Sequence, residues 1–166
     1  MATRALVISD THISAETLDK VPEAVWNAAR QADVILHAGD VMCRELLDRL
    51  AEFAPVHAVL GNNDVGRIDG LPETAELELD GVRVAMIHDS GARKGREARM
   101  HRRFHEADVV VFGHSHAPVN LTAETGQLLF NPGSPTQRRR QPNCSYGVLE
   151  LASGSATAQV VLLPTA

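Results

Sequence analysis

The sequence predicts a mixed α/β (α+β) fold in which two β-sheets pack face to face and helices cover both outer faces, a four-layer α/β/β/α sandwich. Three observations support this class. The first part of the chain alternates apolar runs with helical patterns, which is typical of parallel strands joined by helices. The later part consists mostly of short strand-like runs separated by turn signals, which favours hairpins. The chain of 166 residues is long enough to bury a full core in a single domain.

Three strands and two helices are predicted in the first part of the chain. The strand patterns cover residues 4–9, 34–37 and 56–60, and each is an apolar run bounded by polar residues or glycine. Helical periodicity covers residues 22–30 and 44–52. This alternation of strand and helix favours a parallel sheet.

After residue 70 the pattern changes to hairpins and short strands. Residues 74–79 and 82–87 flank Asp80-Gly81, a strong signal for a tight turn between two strands. One further helix is predicted over residues 96–106, before an apolar strand at 109–112. The remaining strand-like segments cover residues 119–122, 127–130, 145–151 and 156–163.

Composition indicates an ordinary globular domain over residues 1–166. Hydrophobic residues make up 44% of the chain and charged residues 22%, which excludes disordered and fibrous classes. Every apolar run is far shorter than the roughly 18 residues of a membrane span. We therefore expect a cytoplasmic protein with no membrane partner. The net charge of −5 argues against a stable nucleic-acid partner.

Positive charge is concentrated in two short segments. Nine of the 16 lysines and arginines lie in residues 93–103 and 138–140. Such segregation can attract a phosphorylated ligand to one face of an acidic protein. A hydrated helix face explains the first segment equally well. Arg93, which begins this segment, is a candidate for contact with a bound phosphate group.

Polar side chains that bind metal ions follow five of the predicted strands. Four motifs come directly after apolar runs: Asp10-Thr11-His12, Gly39-Asp40, Gly61-Asn62-Asn63-Asp64 and Gly113-His114-Ser115-His116. A single histidine, His88, follows a fifth run. Sheet folds commonly build active sites at strand ends. The candidate ligands are Asp10, His12, Asp40, Asn62, His88, His114 and His116.

Each motif has an ordinary structural explanation when it is taken alone. Asp10 and Asp40 could cap helices, and Asn62 could belong to a turn. A lone histidine such as His88 is often a buried residue that is satisfied by hydrogen bonds. The joint occurrence of five motifs, in order, at five strand ends favours metal binding instead. Carboxylates with imidazoles suit transition metals, and seven ligands are enough for two ions.

Together these motifs resemble those of the calcineurin-like metallophosphoesterase superfamily, and most closely its small prokaryotic phosphodiesterase branch. The pattern of that family is D-x-H, G-D, G-N-x-D, a histidine and G-H-x-H, and all five blocks are present. Two later stretches, Asn131-Pro132-Gly133-Ser134 and Ser145-Tyr146-Gly147-Val148, resemble further signatures of that branch. The resemblance implies a two-sheet sandwich, in agreement with the order of the predicted elements.

The resemblance also implies two divalent metal ions as cofactors. The ligands fall into three groups: Asp10, His12 and His116 for one ion, Asn62, His88 and His114 for the other, and Asp40 as the bridge. Mn²⁺ is the expected metal, with Fe, Zn, Ni or Co as alternatives, because mixed nitrogen and oxygen sites select weakly among these ions.

The implied activity is hydrolysis of phosphodiester bonds, with phosphomonoesters as an alternative, by metal-activated hydroxide. The partner would be a small or nucleotide-like phosphate ester. Catalytic roles would fall to Asp40, Asn62, Asn63 and His114, and substrate contacts to Asn63 and Arg93. Asn63 is a departure from the family pattern, because the larger family often has a histidine there. In the larger family that histidine protonates the leaving group or contacts phosphate. An amide cannot donate a proton as an acid, so Asn63 is not expected to protonate the leaving group.

Two other functions are compatible with the sequence. A metal-binding or protein-interaction scaffold could share the fold, although decay of an active site should delete ligands and none is missing. Gly113-His114-Ser115-His116-Ala117 also approximates the nucleophile elbow of serine hydrolases, with Ser115 as nucleophile. That arrangement needs a later histidine, and none follows His116. Exposed apolar residues of the second sheet could form the face of a homodimer.

Overall fold

The structure is a computed structural model that describes residues 1–165, so Ala166, the last residue of the predicted domain, lies outside it. Within that range three α-helices are present: α1 (Glu23–Arg30), α2 (Arg44–Ala51) and α3 (Arg96–Arg103). A 3-10 helix, Ala15–Lys20, precedes α1. The strands are β1 (Thr3–Ile8), β2 (Val34–His37), β3 (Val56–Ala58), β4 (Thr74–Leu79), β5 (Val82–Ile87), β6 (Val109–Val111), β7 (Val119–Thr122), β8 (Leu128–Asn131), β9 (Ser145–Ala152) and β10 (Ser155–Leu162).

The first sheet has the strand order β10-β9-β1-β2-β3. β1, β2 and β3 are parallel, with Ala5 opposite Val34 and Ile35 opposite Val56. β9 and β10 form a hairpin, and β9 pairs antiparallel with β1. Because the three parallel strands all end at the same edge of the sheet, the residues that follow them meet there.

The second sheet has the order β4-β5-β6-β8-β7. β5, β6 and β8 are parallel, while the outer strands β4 and β7 run antiparallel to their neighbours. The hairpin at Asp80-Gly81 joins β4 to β5 as predicted. The residues that follow β5, β6 and β8 therefore also share one edge.

The main core lies between the two sheets. Val7 and Leu36 of the first sheet belong to the same fully buried cluster as Met86, Val111 and Phe130 of the second. Neighbouring residues of the central strands are buried on the opposite face, which explains why these strands are apolar at nearly every position.

Helices cover both outer faces. α1 and α2 pack Val25, Leu46 and Leu50 against the first sheet, and α3 packs Met100 against Phe112 beside the second. The predicted fold class, a two-sheet sandwich with flanking helices, is confirmed, and each sheet has five strands of mixed direction. None of the helices in residues 1–165 combines the length and apolarity needed to cross a bilayer.

Two elements end at least two residues before their predicted ends, one element was not expected, and the other predicted boundaries differ by at most one residue. α3 ends at Arg103 rather than at residue 106, because Phe104 leaves the helical region (φ −127°, ψ 57°) and inserts its side chain into the outer core. β3 ends at Ala58, since the N–H of Leu60 turns away to bond the carbonyl of Pro72. The 3-10 helix Ala15–Lys20 was not expected, because it buries no side chain and so has no apolar repeat.

Candidate metal centre

Five of the seven predicted ligands have a left-handed backbone conformation. The angle φ is 57° at Asp10, 47° at His12, 57° at Asp40, 71° at His114 and 61° at His116. Residues other than glycine rarely adopt this region, and such strain clusters where the surrounding structure imposes it for function. Each of these strands therefore ends in a sharp turn that brings its polar side chains toward one place.

Two glycines of the motifs leave room for the ligands. A Cβ atom at Gly61 would overlap the backbone and carboxylate of Asp40, and one at Gly113 would overlap the side chains of Ser9 and Asp10. The glycines before Asn62 and His114 are thus required by the close approach of neighbouring strand ends.

The first ligand group consists of Asp10, His12 and His116. One ligand atom of each lies within 4.8 Å of the others, and Nε2 of His116 is 3.5 Å from Oδ1 of Asp10. These atoms, together with Nε2 of His12, are buried and have no hydrogen-bond partner among the described residues. Leaving such groups unpaired costs about 1–3 kcal/mol each, and a divalent cation is the partner that two imidazole nitrogens and a carboxylate oxygen fit.

Hydrogen bonds on the far side of these groups fix their orientation. The second carboxylate oxygen of Asp10 accepts bonds from the Ser9 hydroxyl at 2.7 Å and from the His114 N–H at 2.9 Å. Nδ1 of His116 lies 2.6 Å from the carbonyl oxygen of Gln137, to which it donates its proton. Nε2 of His116 is then unprotonated and faces the ligand group, as in other histidine metal sites.

A second group forms around His88. Oδ1 of Asn62 lies 3.0 Å from Nε2 of His88 and 3.1 Å from Nδ1 of His114, and the two histidine nitrogens are 3.3 Å apart. Asp10, Asp40 and His88 also qualify together as a potential metal-binding group. Nδ1 of His88 donates to the Ala38 carbonyl at 2.7 Å, which directs Nε2 toward the other members of the group.

Asp40 lies between the two groups. Its Oδ2 atom is 3.4 Å from Nε2 of His12 and 3.4 Å from Nε2 of His88, so one oxygen contacts a member of each group. The structure thus brings all seven predicted ligands together. Which residues hold which ion, and whether there are two ions, stays a prediction.

The ionisation of these residues depends on burial and on their mutual contacts. Burial raises the pKa of Asp10 to about 6. It lowers the pKa of His116 to about 4 and also lowers that of His12. Burial would raise the pKa of Asp40, but contact with His88 and hydrogen bonds from Asn63 outweigh burial and hold the pKa below its usual range. Conversely, burial disfavours charge on His88, yet Asp40 and Asp10 raise its pKa.

Asn63 and Arg93, the predicted substrate contacts, lie in different surroundings. The backbone N–H of Asn63 donates to Oδ1 of Asp40 at 2.9 Å, and its side-chain amide donates to Oδ2 at 2.9 Å. Asn63 therefore holds the central carboxylate in this structure. Arg93 is exposed and lines a cavity that also contacts Ser115. Contact of either residue with a substrate stays a prediction.

The serine hydrolase alternative is not supported by the surroundings of Ser115. Its hydroxyl accepts hydrogen bonds from the amide of Asn131 at 3.3 Å and from the N–H of Ala117 at 3.3 Å. Within residues 1–165 it makes no hydrogen bond to an imidazole, so it lacks the base that activates a serine nucleophile.

Sequence reasoning missed the role of Asp64. This residue is completely buried, and its carboxylate accepts N–H bonds from Asp40 at 2.9 Å, from Met42 at 2.8 Å and from Gly61 at 2.8 Å. It therefore ties the loop after β2 to the loop after β3. The only signal in the sequence was its place at the end of the Gly61-Asn62-Asn63-Asp64 motif, which equally suits an ordinary turn.

Both the sandwich and its ligand groups match the class of metal-dependent phosphoesterases that the motifs implied. A domain model described as the calcineurin-like phosphoesterase superfamily domain matches residues 4–154, and the chain therefore belongs to this family. The resemblance inferred from the sequence is confirmed.

The similar proteins include archaeal and bacterial phosphoesterases and the eukaryotic protein Vps29. A probable metallophosphoesterase of Methanothermobacter thermautotrophicus is 38% identical over 135 residues, covering 80% of this chain and 77% of that protein. A conserved uncharacterized protein of Streptococcus pneumoniae, described as a predicted phosphoesterase, has a TM-score of 0.76 at 24% identity and covers 98% of this chain and 90% of that one. Vps29 of Entamoeba histolytica complexed with zinc has a TM-score of 0.73 at 23% identity, covering 96% of this chain and 98% of that one. The two structural likenesses show a shared fold.

Replacing Asp64 by alanine should destabilise both strand-end loops. Two buried N–H groups and one partly buried N–H group would lose their acceptor, so we expect the free energy of unfolding to fall by about 2–4 kcal/mol. Urea denaturation of the chelator-treated protein measures this change. Asp48→Ala, an exposed carboxylate on α2, is the matched control and should behave as wild type. Wild-type stability of the Asp64→Ala variant would contradict the role assigned to this residue.

Metal affinity should increase with pH in the range where Asp10 loses its proton. The pKa of this residue is raised to about 6, so below that pH a cation must displace a proton to bind. Burial lowers the pKa of His116 to about 4 and also lowers that of His12, whereas the raised pKa of His88 adds to the competition between protons and metal. We expect the apparent affinity for Mn²⁺ to fall by about tenfold or more between about pH 7 and about pH 5. Calorimetric titration measures it, and a constant affinity would contradict the expectation.

Proposed function

We propose that the protein is a dinuclear metal-dependent phosphodiesterase, with phosphomonoesters as an alternative class of substrate. The observation that carries the proposal is the set of buried, unpartnered ligand atoms on Asp10, His12 and His116, beside a second group that shares Asp40. The family supports phosphoester hydrolysis, and related proteins are named probable metallophosphoesterases.

The chain would hold one ion with Asp10, His12 and His116 and the other with Asn62, His88 and His114, and Asp40 would contact both. Divalent cations in such a site supply positive charge that polarises the phosphoryl oxygens and lowers the pKa of water. Mn²⁺ is the proposed metal, because nitrogen and oxygen donors without thiolates accept several transition ions and follow their availability.

The residues around the ligands keep these atoms in position without metal. The backbone carbonyls of Ala38 and Gln137 accept hydrogen bonds from Nδ1 of His88 and His116, which orients both rings with Nε2 toward the ligand groups. Asn63 holds both oxygens of Asp40. Such preorganisation reduces the structural change needed when charge develops on the substrate.

Access to the site is defined by the exposure of the ligands. The side chain of His114 is 45% exposed, whereas those of His88 and Asp10 are 5% and 0% exposed. The site thus opens to solvent beside His114. A phosphate ester that enters there meets His114 and Asn62 before the buried carboxylates.

A metal-binding or protein-interaction scaffold that does not hydrolyse a substrate is the second candidate. The likeness of the fold to that of Vps29 favours it. That likeness concerns the fold, and this chain retains all seven ligands of the family pattern. The two candidates differ in whether bound metal produces hydrolysis.

Metal-loaded protein should hydrolyse bis(4-nitrophenyl) phosphate, and a chelator should abolish the activity. Asp40→Asn removes negative charge from the position shared by both ligand groups, so we expect kcat/KM to fall by about a hundredfold or more. Release of 4-nitrophenol measures the rate. The control Asp48→Asn should retain full activity. Protein that binds metal but releases no product would favour the scaffold.

The rate should depend strongly on the acidity of the leaving group. Asn63 cannot protonate a departing oxygen, so diesters of acidic phenols should react faster than diesters of weakly acidic phenols and alcohols. A series of aryl diesters measured under one metal condition tests this expectation. Equal rates across the series would show that another group supplies the proton.

A further inference from the structure

A cavity beside the metal centre has no role in the mechanism described above. Its volume is about 690 Å³, and it is lined on one side by Arg93 and Arg96 and on the other by Ser115, Val119 and Leu129. Small-molecule sites commonly have volumes of about 300–1,000 Å³. The cavity is therefore large enough for a ligand the size of a nucleotide.

This cavity adjoins the candidate metal centre at the loop that follows β6. Ser115, one of its lining residues, lies between the ligands His114 and His116. The solvent-exposed side of the metal centre, beside His114, adjoins the same loop. A substituent on a phosphoryl group at the metal centre can extend from this opening into the cavity.

Two arginines give the cavity a positive side. Arg93 is exposed, and within residues 1–165 neither it nor Arg96 forms an ion pair. The guanidinium of Arg96 lies 4.8 Å from the centre of the Phe112 ring, and its buried Nε atom has no hydrogen-bond partner. Glu97 also lines the cavity, so the three side chains carry a net charge of about +1.

Arg99, which follows Arg93 and Arg96 in the same basic segment, is used in hydrogen bonds within the protein. It donates hydrogen bonds to the carbonyls of Ser90 and Ala92, and it fixes the loop that follows β5. Arg93 lies between this anchored loop and α3, and Arg96 is the first residue of α3. The fold therefore positions both residues, and within residues 1–165 their guanidinium groups make no ion pair.

The opposite side of the cavity is apolar. Pro118, Val119 and Leu129 line it together with Leu121, whose side chain is 44% exposed. A flat ring fits such a surface, because burying apolar area stabilises a complex by roughly 25 cal/mol per Å². An anionic group fits the arginine side, where guanidinium groups form charge-assisted hydrogen bonds with phosphate.

We propose that this cavity binds the non-reacting substituent of the substrate, and that this substituent combines a flat ring with a further phosphate group. The physiological substrate class is then a nucleotide-like phosphodiester with a second phosphate. This inference rests on the proposed phosphodiesterase function. It narrows the substrate class of that function from phosphate esters in general to nucleotide-like diesters.

Two nitrophenyl esters that differ by one phosphate group test the proposal. The first is the 4-nitrophenyl ester of thymidine 5′-phosphate, and the second carries an additional 3′-phosphate. Kinetics are measured on metal-loaded wild type, Arg93→Gln, Arg96→Gln and Arg102→Gln. Arg102 is exposed on the same helix and outside the cavity, so it is the matched control. Thermal unfolding shows whether each variant is folded, and Arg96→Lys retains the charge if Arg96→Gln unfolds.

The additional phosphate should lower KM by about tenfold or more in wild type and in Arg102→Gln, because a charge-assisted hydrogen bond is gained. This advantage should disappear in Arg93→Gln and Arg96→Gln, so that both esters give similar KM values in these two variants. If the phosphate gives the same advantage in all four proteins, or none in wild type, the proposal is wrong.

A binding measurement separates this proposal from the proposed activity. Thymidine 3′,5′-bisphosphate is titrated into isotope-labelled protein in the presence of chelator, and amide shifts are followed by NMR. Shifts at Ser115, Val119 and Leu129 that weaken in Arg96→Gln support the cavity as a ligand site. If these shifts are present but neither ester is hydrolysed, only the proposed phosphodiesterase activity is rejected. Absence of shifts at these three residues would overturn the proposal.

Discussion

A buried carboxylate that the protein satisfies on only one of its two oxygens is the constraint on which the rest of the structure depends. The Asp10 side chain is inaccessible to solvent, and one of its oxygens has no hydrogen-bond partner. Folding removes this carboxylate from water at a cost that the protein alone does not recover, as its raised pKa shows. A chain selected for stability alone would pack an apolar residue in this place. The cost is offset only if an external cation completes the group.

The surroundings of Asp10 are built to keep that charge in place. Ser134, in the loop after β8, donates its hydroxyl proton to the backbone carbonyl of Asp10 at 2.8 Å. Asn131 donates to the carbonyl of Gly113 at 3.2 Å. The Asn131-Pro132-Gly133-Ser134 stretch therefore holds the turns that carry the ligands, which gives a physical reason for a motif that contributes no ligand itself. These hydrogen bonds hold the strained backbone at the ends of β1 and β6 in place.

Much of this arrangement could be predicted from the sequence, because its signals are local. Apolar runs identified the strands, glycine–acid and glycine–histidine pairs marked their ends, and parallel strands place such ends together. Nothing local indicates that Asp64 bonds the loops after both β2 and β3, or that Asn63 is held by Asp40. Those contacts exist only after distant segments meet. The position of Arg96 over Phe112 is likewise a product of tertiary packing, since a basic helix face has the same sequence whether it lines a cavity or faces water.

The candidate ligands extend along the chain from Asp10 to His116 and come from both sheets. No fragment that lacks either sheet contains a complete set, so high-affinity cation binding requires the sandwich to have assembled. The unfolded chain has the same side chains but does not hold them in the geometry of the site. A cation that binds the native state more tightly therefore stabilises the folded protein in proportion to the logarithm of the cation concentration. The supply of metal in the surroundings would then determine how long the folded protein persists, in addition to how fast it works.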